Sequence, residues 1–159
     1  MQKYALIIDN ERCWGCKTCE VACKQENGKP NGVKLIRVKE DGFRAGGNGL
    51  DFVFEVNVCR HCEEPACMEA CPEEAIVKRE DGIVILHEER CSGCQLCIDA
   101  CPYDAISLDP QSGVAQKCNL CYQRVDSGLL PACADNVCLA HCIYFGGPEE
   151  IREKIRKGI

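Results

Sequence analysis

Short apolar runs alternate with cysteine-rich turns along this chain. The runs ALII at 5–8 and IVIL at 83–86 contain β-branched residues and predict short strands. Residues 33–38 (VKLIRV) and 51–58 (DFVFEVNV) predict two further strands, and in the second run the apolar residues alternate onto one face. The segment EDGFRAGGNGL between them has the composition of a turn.

A short helix is predicted at the C-terminal end, over residues 148–158. Pro148 lies at its first turn and Gly158 at its end, with acidic residues early and basic residues late. Ile151 and Ile155 have the i,i+4 spacing that places two apolar side chains on one helix face.

An internal repeat dominates the architecture. The stretch ALIIDNERCWGC (5–16) matches IVILHEERCSGC (83–94) at an offset of 78 residues. The offset also superimposes two runs of four cysteines, which are Cys13, Cys16, Cys19 and Cys23 in one copy and Cys91, Cys94, Cys97 and Cys101 in the other. Each copy therefore predicts a strand, a turn and a cysteine run.

Two more cysteine groups complete the pattern. They are Cys59, Cys62, Cys67 and Cys71, and Cys118, Cys121, Cys133 and Cys138, with Cys142 in addition. The phrases CPEEAI (71–76) and CPYDAI (101–106) are near copies. Both resemble ferredoxin halves, and they predict an α+β fold of two ferredoxin-like units, with short β-hairpins and short helices around iron–sulfur clusters.

The predicted units interleave along the chain. The inner unit is contiguous over 59–108, and the outer unit is split between 5–24 and 115–146. Residues 25–58 form a strand insert between them. Because one unit encloses the other in sequence, we expect residues 1–159 to form a single compact body.

The cysteine content narrows the chemistry. There are 17 cysteines among 159 residues, which indicates disulfides, zinc sites or iron–sulfur ligation. A disulfide scaffold belongs to secreted proteins, and the N-terminal residues lack the apolar run of a signal peptide. We therefore expect a reduced, cytoplasmic chain, although a partner that carries a signal could export both.

Several functional classes are disfavoured. The net charge of −6 argues against nucleic-acid binding, and no stretch approaches the roughly 20 apolar residues of a membrane span. The sequence contains no nucleophile motif, dinucleotide fingerprint or legible acid–base pair. We expect no catalytic site of its own.

The spacing of the cysteines favours cubane clusters. The run Cys91-x2-Cys94-x2-Cys97-x3-Cys101-Pro is that of bacterial ferredoxins, in which three thiolates hold one cluster and the fourth binds its neighbour. Paired Cys-x2-Cys motifs also form tetrahedral zinc sites. A structural zinc module, or three clusters with zinc in the outer unit, is therefore the alternative.

The cysteine segments carry a family resemblance. CRHCEEPACMEACP (59–72), CSGCQLCIDACP (91–102) and KCNLCYQRVDSGLLPAC (117–133) resemble the four-cluster subunits of molybdenum and tungsten oxidoreductases. These include the iron–sulfur subunits of dimethyl sulfoxide reductase, formate dehydrogenase and polysulfide reductase, and the polyferredoxin subunit of tungsten aldehyde oxidoreductase-type enzymes is also similar. The resemblance spans about residues 3–147. It implies four [4Fe–4S] clusters and a large pterin catalytic partner.

The resemblance also implies four ligand sets, in which last cysteines are exchanged between runs. The first set contains Cys13, Cys16, Cys19 and the last cysteine of the outer unit. The second set contains Cys23, Cys118, Cys121 and Cys133. The third set contains Cys59, Cys62, Cys67 and Cys101. The fourth set contains Cys71, Cys91, Cys94 and Cys97.

The chain departs from the family pattern after Cys133. The family has Cys-x3-Cys-Pro, whereas this chain has one extra residue before Cys138, and Leu139 instead of proline. The last ligand of the first set is therefore Cys138, through a bulge, or Cys142, and we favour Cys138. The spare cysteine would be a buried thiol or part of another site with His141.

The predicted function is electron transfer. The chain would relay electrons to or from a tungsten or molybdenum pterin subunit, with a further redox subunit as a second candidate partner. Its short length and lack of an anchor favour a cytoplasmic tungsten enzyme. Basic residues beside ligands are predicted to raise cluster potentials: Lys17, Lys24, Arg60, Arg90 and Lys117. The alternative is a free-standing soluble polyferredoxin.

Overall fold

The computed structural model describes residues 4–46 and 49–157. Within these ranges the chain is built from short strands and short helices, which confirms the predicted α+β class. The strands are β1 Ala5–Ile8, β2 Ile36–Gly46, β3 Gly49–Val58, β4 Ile76–Lys78, β5 Val84–Leu86, β6 Ile106–Leu108, β7 Ala115–Lys117 and β8 Ile143–Gly146. The helices are α1 Thr18–Asn27, α2 Ala66–Glu69, α3 Leu96–Asp99, α4 Tyr122–Asp126 and α5 Pro148–Lys157.

The strands of the described residues pair into four two-stranded antiparallel sheets. Three of them are local hairpins, β2–β3, β4–β5 and β6–β7. The fourth joins β1 to β8, with Ala5 opposite Gly146 and Ile8 opposite Ile143. This pairing brings the first cysteine run next to the last cysteines of the chain.

The two copies of the internal repeat adopt the same local structure. β1 is followed by a 3₁₀ turn at Asn10–Arg12, and β5 is followed by one at Glu88–Arg90. Each turn leads directly into a cysteine run. The two cysteine runs therefore follow their strands, β1 and β5, through the same kind of turn.

The turn predicted between the two long strands is wrong over residues 40–46. β2 starts three residues later than predicted and extends through the glycine-rich segment to Gly46, opposite β3. Phe43 pairs with Phe52 across the hairpin, with ring centroids 4.9 Å apart, and Gly42 (φ 86°) occupies an irregularity in the register. Aromatic cross-strand pairing thus overrides the local turn signal. Residues 47 and 48 of the predicted turn lie outside the described residues.

The helix at the C-terminal end covers Pro148–Lys157, and residue 158 of the predicted range lies outside the described residues. Ile151 is fully buried, so one face of this helix packs on the body. No helix in the described ranges has the length and apolar character needed to cross a membrane.

Cysteine supplies nearly half of the largest buried cluster in the described residues. This cluster combines eight aliphatic side chains, among them Val33 and Ile36, with seven cysteines: Cys19, Cys23, Cys59, Cys118, Cys133, Cys138 and Cys142. Two smaller clusters surround Ile76 and Ile83. The thiols therefore lie where a protein of this size would otherwise place aliphatic side chains.

Candidate metal centres

The first Cys-x2-Cys turn of each of the four cysteine groups has the same backbone feature. The residue before the second cysteine is left-handed in each: Gly15 (φ 68°), His61 (φ 47°), Gly93 (φ 74°) and Leu120 (φ 56°). A residue in this conformation reverses the local direction of the backbone, so each turn is tight. The four turns are therefore local copies of one another, although their sequences differ.

Glycine is required sterically at two of these turns. A Cβ on Gly15 would lie 2.2 Å from the Phe54 ring, and one on Gly93 would lie 2.3 Å from the Gly113 carbonyl oxygen. Both distances are far inside van der Waals contact. A side chain at either glycine would therefore collide with a neighbouring segment.

Gly93→Ala is expected to weaken retention of the neighbouring cluster. The left-handed conformation alone costs a non-glycine residue about 1–2 kcal/mol, and the clash with the Gly113 carbonyl adds to this cost. Gly128→Ala is the matched control, because Gly128 has a similar φ of 76° and nothing within 4 Å of the added Cβ. Iron content after gel filtration should fall clearly more for Gly93→Ala. Equal losses in the two variants would contradict the role of close packing.

The third ligand set lines one cavity. Cys59, Cys62, Cys67 and Cys101 all contribute to its wall, together with Pro65 and Ala66 at the start of α2. Burial raises the pKa of Cys62 and of Cys67, and the nearby thiolates of Cys59 and Cys101 add to both shifts. The structure thus brings together all four cysteines predicted for this set.

The fourth ligand set lines a separate cavity formed by Cys71, Cys91, Cys94 and Cys97. Burial raises the pKa of Cys97 to about 11, with further contributions from Cys91 and Cys71. The Ala75 N–H donates to the Cys71 Sγ and the Ala115 N–H to the Cys91 Sγ, each at 3.4 Å. Such donors stabilise the negative charge that ligand sulfurs carry.

The second ligand set is the most deeply buried. Its members Cys23, Cys118, Cys121 and Cys133 are all buried. Burial raises the pKa of Cys23 to about 12, and Cys121 contributes next. Burial also raises the pKa of Cys133, which lies near the other three members of the set. The Leu120 N–H donates to the Cys118 Sγ at 3.3 Å.

The first ligand set brings both ends of the chain together. Burial raises the pKa of Cys19 to about 12, and the nearby Cys13 and Cys138 thiolates raise it further. Cys16 is exposed, and a hydrogen bond with the Thr18 hydroxyl (3.3 Å) lowers its pKa.

Both candidate last ligands of the first set are buried. Cys138 and Cys142 lie next to each other, with their sulfurs 3.5 Å apart. The neighbouring His141 side chain is exposed. The structure therefore places Cys138 and Cys142 within the same thiol cluster and turns His141 away towards the surface.

The residues present fit [4Fe–4S] clusters. The four thiols of the second, third and fourth sets lie together, as do Cys13, Cys19 and Cys138 of the first. Backbone N–H groups donate to one sulfur in the second set and to two in the fourth. Because burial raises the pKa values of many of these thiols, those thiols are protonated in the absence of metal. They must therefore lose their protons when a cluster binds. Among the described residues, no three or more His, Cys, Asp or Glu side chains are close enough to hold one metal ion. Ligands of a cubane bind separate irons and lie further apart than ligands of a single ion.

Two buried polar side chains, Lys117 and His61, lie beside the third set. The sequence indicated a role for Lys117 but not for His61. Lys117 is 5% exposed, and its ammonium donates to the carbonyls of Val84 and Cys118. His61 accepts from the Val84 N–H at 3.0 Å through Nδ1. Burial, and then the Lys117 charge, lowers the pKa of His61 well below its usual range. The only sequence signal for His61 was its place in the turn, where two other copies have glycine.

Grouped cysteines of this kind define a multi-cluster iron–sulfur protein. Residues 50–148 match the model of the 4Fe-4S dicluster domain, and residues 10–28 match a 4Fe-4S binding domain. The chain therefore belongs to the 4Fe-4S dicluster family, and it binds [4Fe–4S] clusters as the sequence predicted.

Similar proteins are named as components of reductases. One chain of the anaerobic dimethyl sulfoxide reductase of Haemophilus influenzae is 40% identical over 97% of this chain and 78% of its own length. One subunit of the tetrathionate reductase of Salmonella typhimurium is 41% identical over 84% of this chain, which covers 54% of that relative. A putative dimethyl sulfoxide reductase iron–sulfur subunit of Halobacterium salinarum is 36% identical over the whole chain and 71% of its own length. The resemblance predicted from the cysteine segments is confirmed.

Proposed function

We propose that this chain relays electrons through four [4Fe–4S] clusters, to or from a large pterin catalytic subunit that holds molybdenum or tungsten. The observation that supports the proposal most is the grouping of the predicted ligand cysteines within the fold. The relatives named as components of dimethyl sulfoxide and tetrathionate reductases support a catalytic partner of this class. The clusters supply the redox chemistry, and the protein supplies their positions and potentials.

Contacts between the sets support a linear order. Cys133 of the second set interacts electrostatically with Cys19 of the first. Cys118 of the second set interacts with Cys59 of the third, and Cys97 of the fourth set interacts with Cys67 of the third. Each set thus lies close to the next one, as a chain of electron-transfer steps requires.

The exposure of the thiols supports exchange at the two ends of this order. The first set has the exposed Cys16 and the fourth set has the exposed Cys94, whereas the described cysteines of the two middle sets include no exposed thiol. Large apolar side chains lie beside both ends: Trp14 is 66% exposed and Leu96 is 49% exposed. Two partners, one a catalytic subunit and the other a further redox subunit, would each have an accessible end.

We also propose an arrangement of the two units and a role for the β2–β3 hairpin. The inner unit covers residues 59–108, and the outer unit covers 5–24 and 115–146. The β1–β8 sheet supports this arrangement, because it joins the two parts of the outer unit. The hairpin β2–β3 lies beside the first set, because Phe52 and Phe54 share a cavity wall with Cys13 and Trp14. The hairpin thus adds surface at one end of the relay that cluster binding alone does not require.

Metal analysis of the anaerobically purified chain tests the cluster number. Four clusters are expected to give about 16 iron and 16 acid-labile sulfide per chain, with visible absorption. A chain with three clusters would contain about 12 iron, with zinc in the outer unit. Zinc without iron or visible absorption would overturn the proposal in favour of a structural zinc module.

Purification from native cells distinguishes a dedicated subunit from a free-standing carrier. We expect the chain to elute with a larger protein that contains molybdenum or tungsten and a pterin. Elution of the fully loaded chain as a monomer, with no such protein at any ionic strength, would favour the soluble polyferredoxin instead.

A further inference from the structure

Three segments of the chain share one local structure, although only two share a sequence. They are Cys71–Ile76, Cys101–Ile106 and Cys138–Ile143. In each, the fourth residue is left-handed: Glu74 (φ 47°), Asp104 (φ 49°) and His141 (φ 47°). Its N–H donates to the carbonyl of the cysteine three residues earlier, at 3.2, 3.3 and 3.0 Å respectively.

The same three segments continue alike. Their sixth residues begin β4, β6 and β8. Cys138 therefore takes the position that Cys71 and Cys101 take, even though Leu139 replaces the proline that follows both of them. The extra residue in this region lies before Cys138, between Cys133 and Cys138, and leaves the segment itself unchanged.

Cys142 takes the position of an alanine in this comparison. Its counterparts are Ala75 and Ala105, and all three residues are buried. The Cys142 N–H donates to the Cys138 Sγ at 3.4 Å, as the Ala75 N–H does to the Cys71 Sγ. The backbone of Cys142 thus performs the role of the alanine, and its thiol is an addition.

That added thiol faces ligand sulfurs. The Cys142 Sγ lies 3.5 Å from the Cys138 Sγ and also interacts with Cys13, so it contacts two predicted ligands of one cluster. When both neighbours are bound to iron as thiolates, they are acceptors, and the Cys142 S–H is the donor between them.

We propose that Cys142 is not a ligand, and that its S–H donates to the Cys138 sulfur and raises the reduction potential of the cluster bound by the first set. This rests on the proposed function. A donor to a ligand sulfur stabilises the reduced cluster, which carries one more electron. Cys142 is accordingly a positioning residue, acting through Cys138.

Cys142→Ala tests this directly, because it restores the residue of the two equivalent positions. The variant is expected to keep all its iron and sulfide. At fixed ambient potential, the reduced-to-oxidised ratio of one cluster should fall about three- to tenfold, as for loss of one hydrogen bond. Anaerobic redox titration followed by electron paramagnetic resonance measures this ratio, and the other clusters serve as internal controls.

A second readout separates tuning from packing. In heavy water, electron–nuclear double resonance of the wild-type chain should show a deuteron of the Cys142 thiol coupled to the first-set cluster, besides that of the Cys142 N–H. Cys142→Ala should lose the thiol deuteron and keep the backbone one. Cys142→Ser, which retains a donor, should recover part of the potential. An unmoved potential together with an unchanged deuteron signal in Cys142→Ala would overturn the proposal.

Cys138→Ala is the matched variant for the ligand assignment. It is expected to lose about a quarter of the iron, as loss of one cluster in four requires. If Cys142→Ala loses that iron and Cys138→Ala keeps it, Cys142 is the ligand and the inference is wrong. A wild-type chain without iron and sulfide would instead contradict the proposed function, so the two failures are distinguishable.

Discussion

Removal of the iron is expected to abolish the cooperative thermal unfolding of this chain. Seven of the 15 buried residues in its largest core cluster are cysteines, so aliphatic side chains supply only about half of that cluster. Without iron, four thiols in each set lose the centre that holds them together. The free energy of cluster binding is then a large part of the free energy of folding.

The measurement compares the same anaerobic sample before and after chelation. Circular dichroism of the loaded chain should show one sharp transition, and the chelated chain should show a gradual change without a plateau. Addition of iron and sulfide should restore the transition. A sharp transition in the iron-free chain would mean that the aliphatic residues around Ile76 and Ile83 suffice as a core.

Lys117→Met is expected to lower the reduction potential of the third-set cluster. The Lys117 ammonium is buried and interacts electrostatically with Cys67 of that set. A positive charge stabilises the added electron of the reduced cluster, so its removal favours the oxidised form. For a separation of about 8 Å and an effective dielectric constant of ~20, the interaction is about 2 kcal/mol. For a one-electron couple this equals about 90 mV.

Arg60→Gln is the matched control for this charge effect. Arg60 is exposed and lies over the Tyr103 ring, 3.9 Å from its centroid, yet it interacts with Cys62 of the same set. Solvent screens an exposed charge, so its removal should shift the same potential by well under half as much. Equal shifts in the two variants would show that burial of Lys117 has no special effect.

Much of the candidate site was predictable because cysteine spacing and the repeat are local in sequence. The offset between ALIIDNERCWGC and IVILHEERCSGC predicted two equivalent strand–turn–cysteine units, and the structure contains both. The ligand sets themselves remain predictions, which the observed grouping of thiols supports.

Other features were not predictable, for physical reasons that differ. The length of the β2–β3 hairpin depends on the cross-strand pair Phe43 and Phe52, which are separated by a glycine-rich segment. The role of Cys138 was ambiguous, because the proline that marks the equivalent cysteines is absent. The equivalence of Cys138 to Cys71 and Cys101 is visible only in the backbone conformation, mainly in the left-handed conformation of His141.

The β1–β8 sheet has a consequence for biosynthesis. The second set cannot be complete until the ribosome has released Cys133. The first set must wait for residues beyond it, because β1 pairs with β8. The third and fourth sets need only residues 59–101, which emerge earlier, since synthesis proceeds from the N-terminus. Metal loading would then begin with the third and fourth sets, and Cys13, Cys16, Cys19 and Cys23 would wait as unmetallated thiols until Cys133 and the residues after it have emerged.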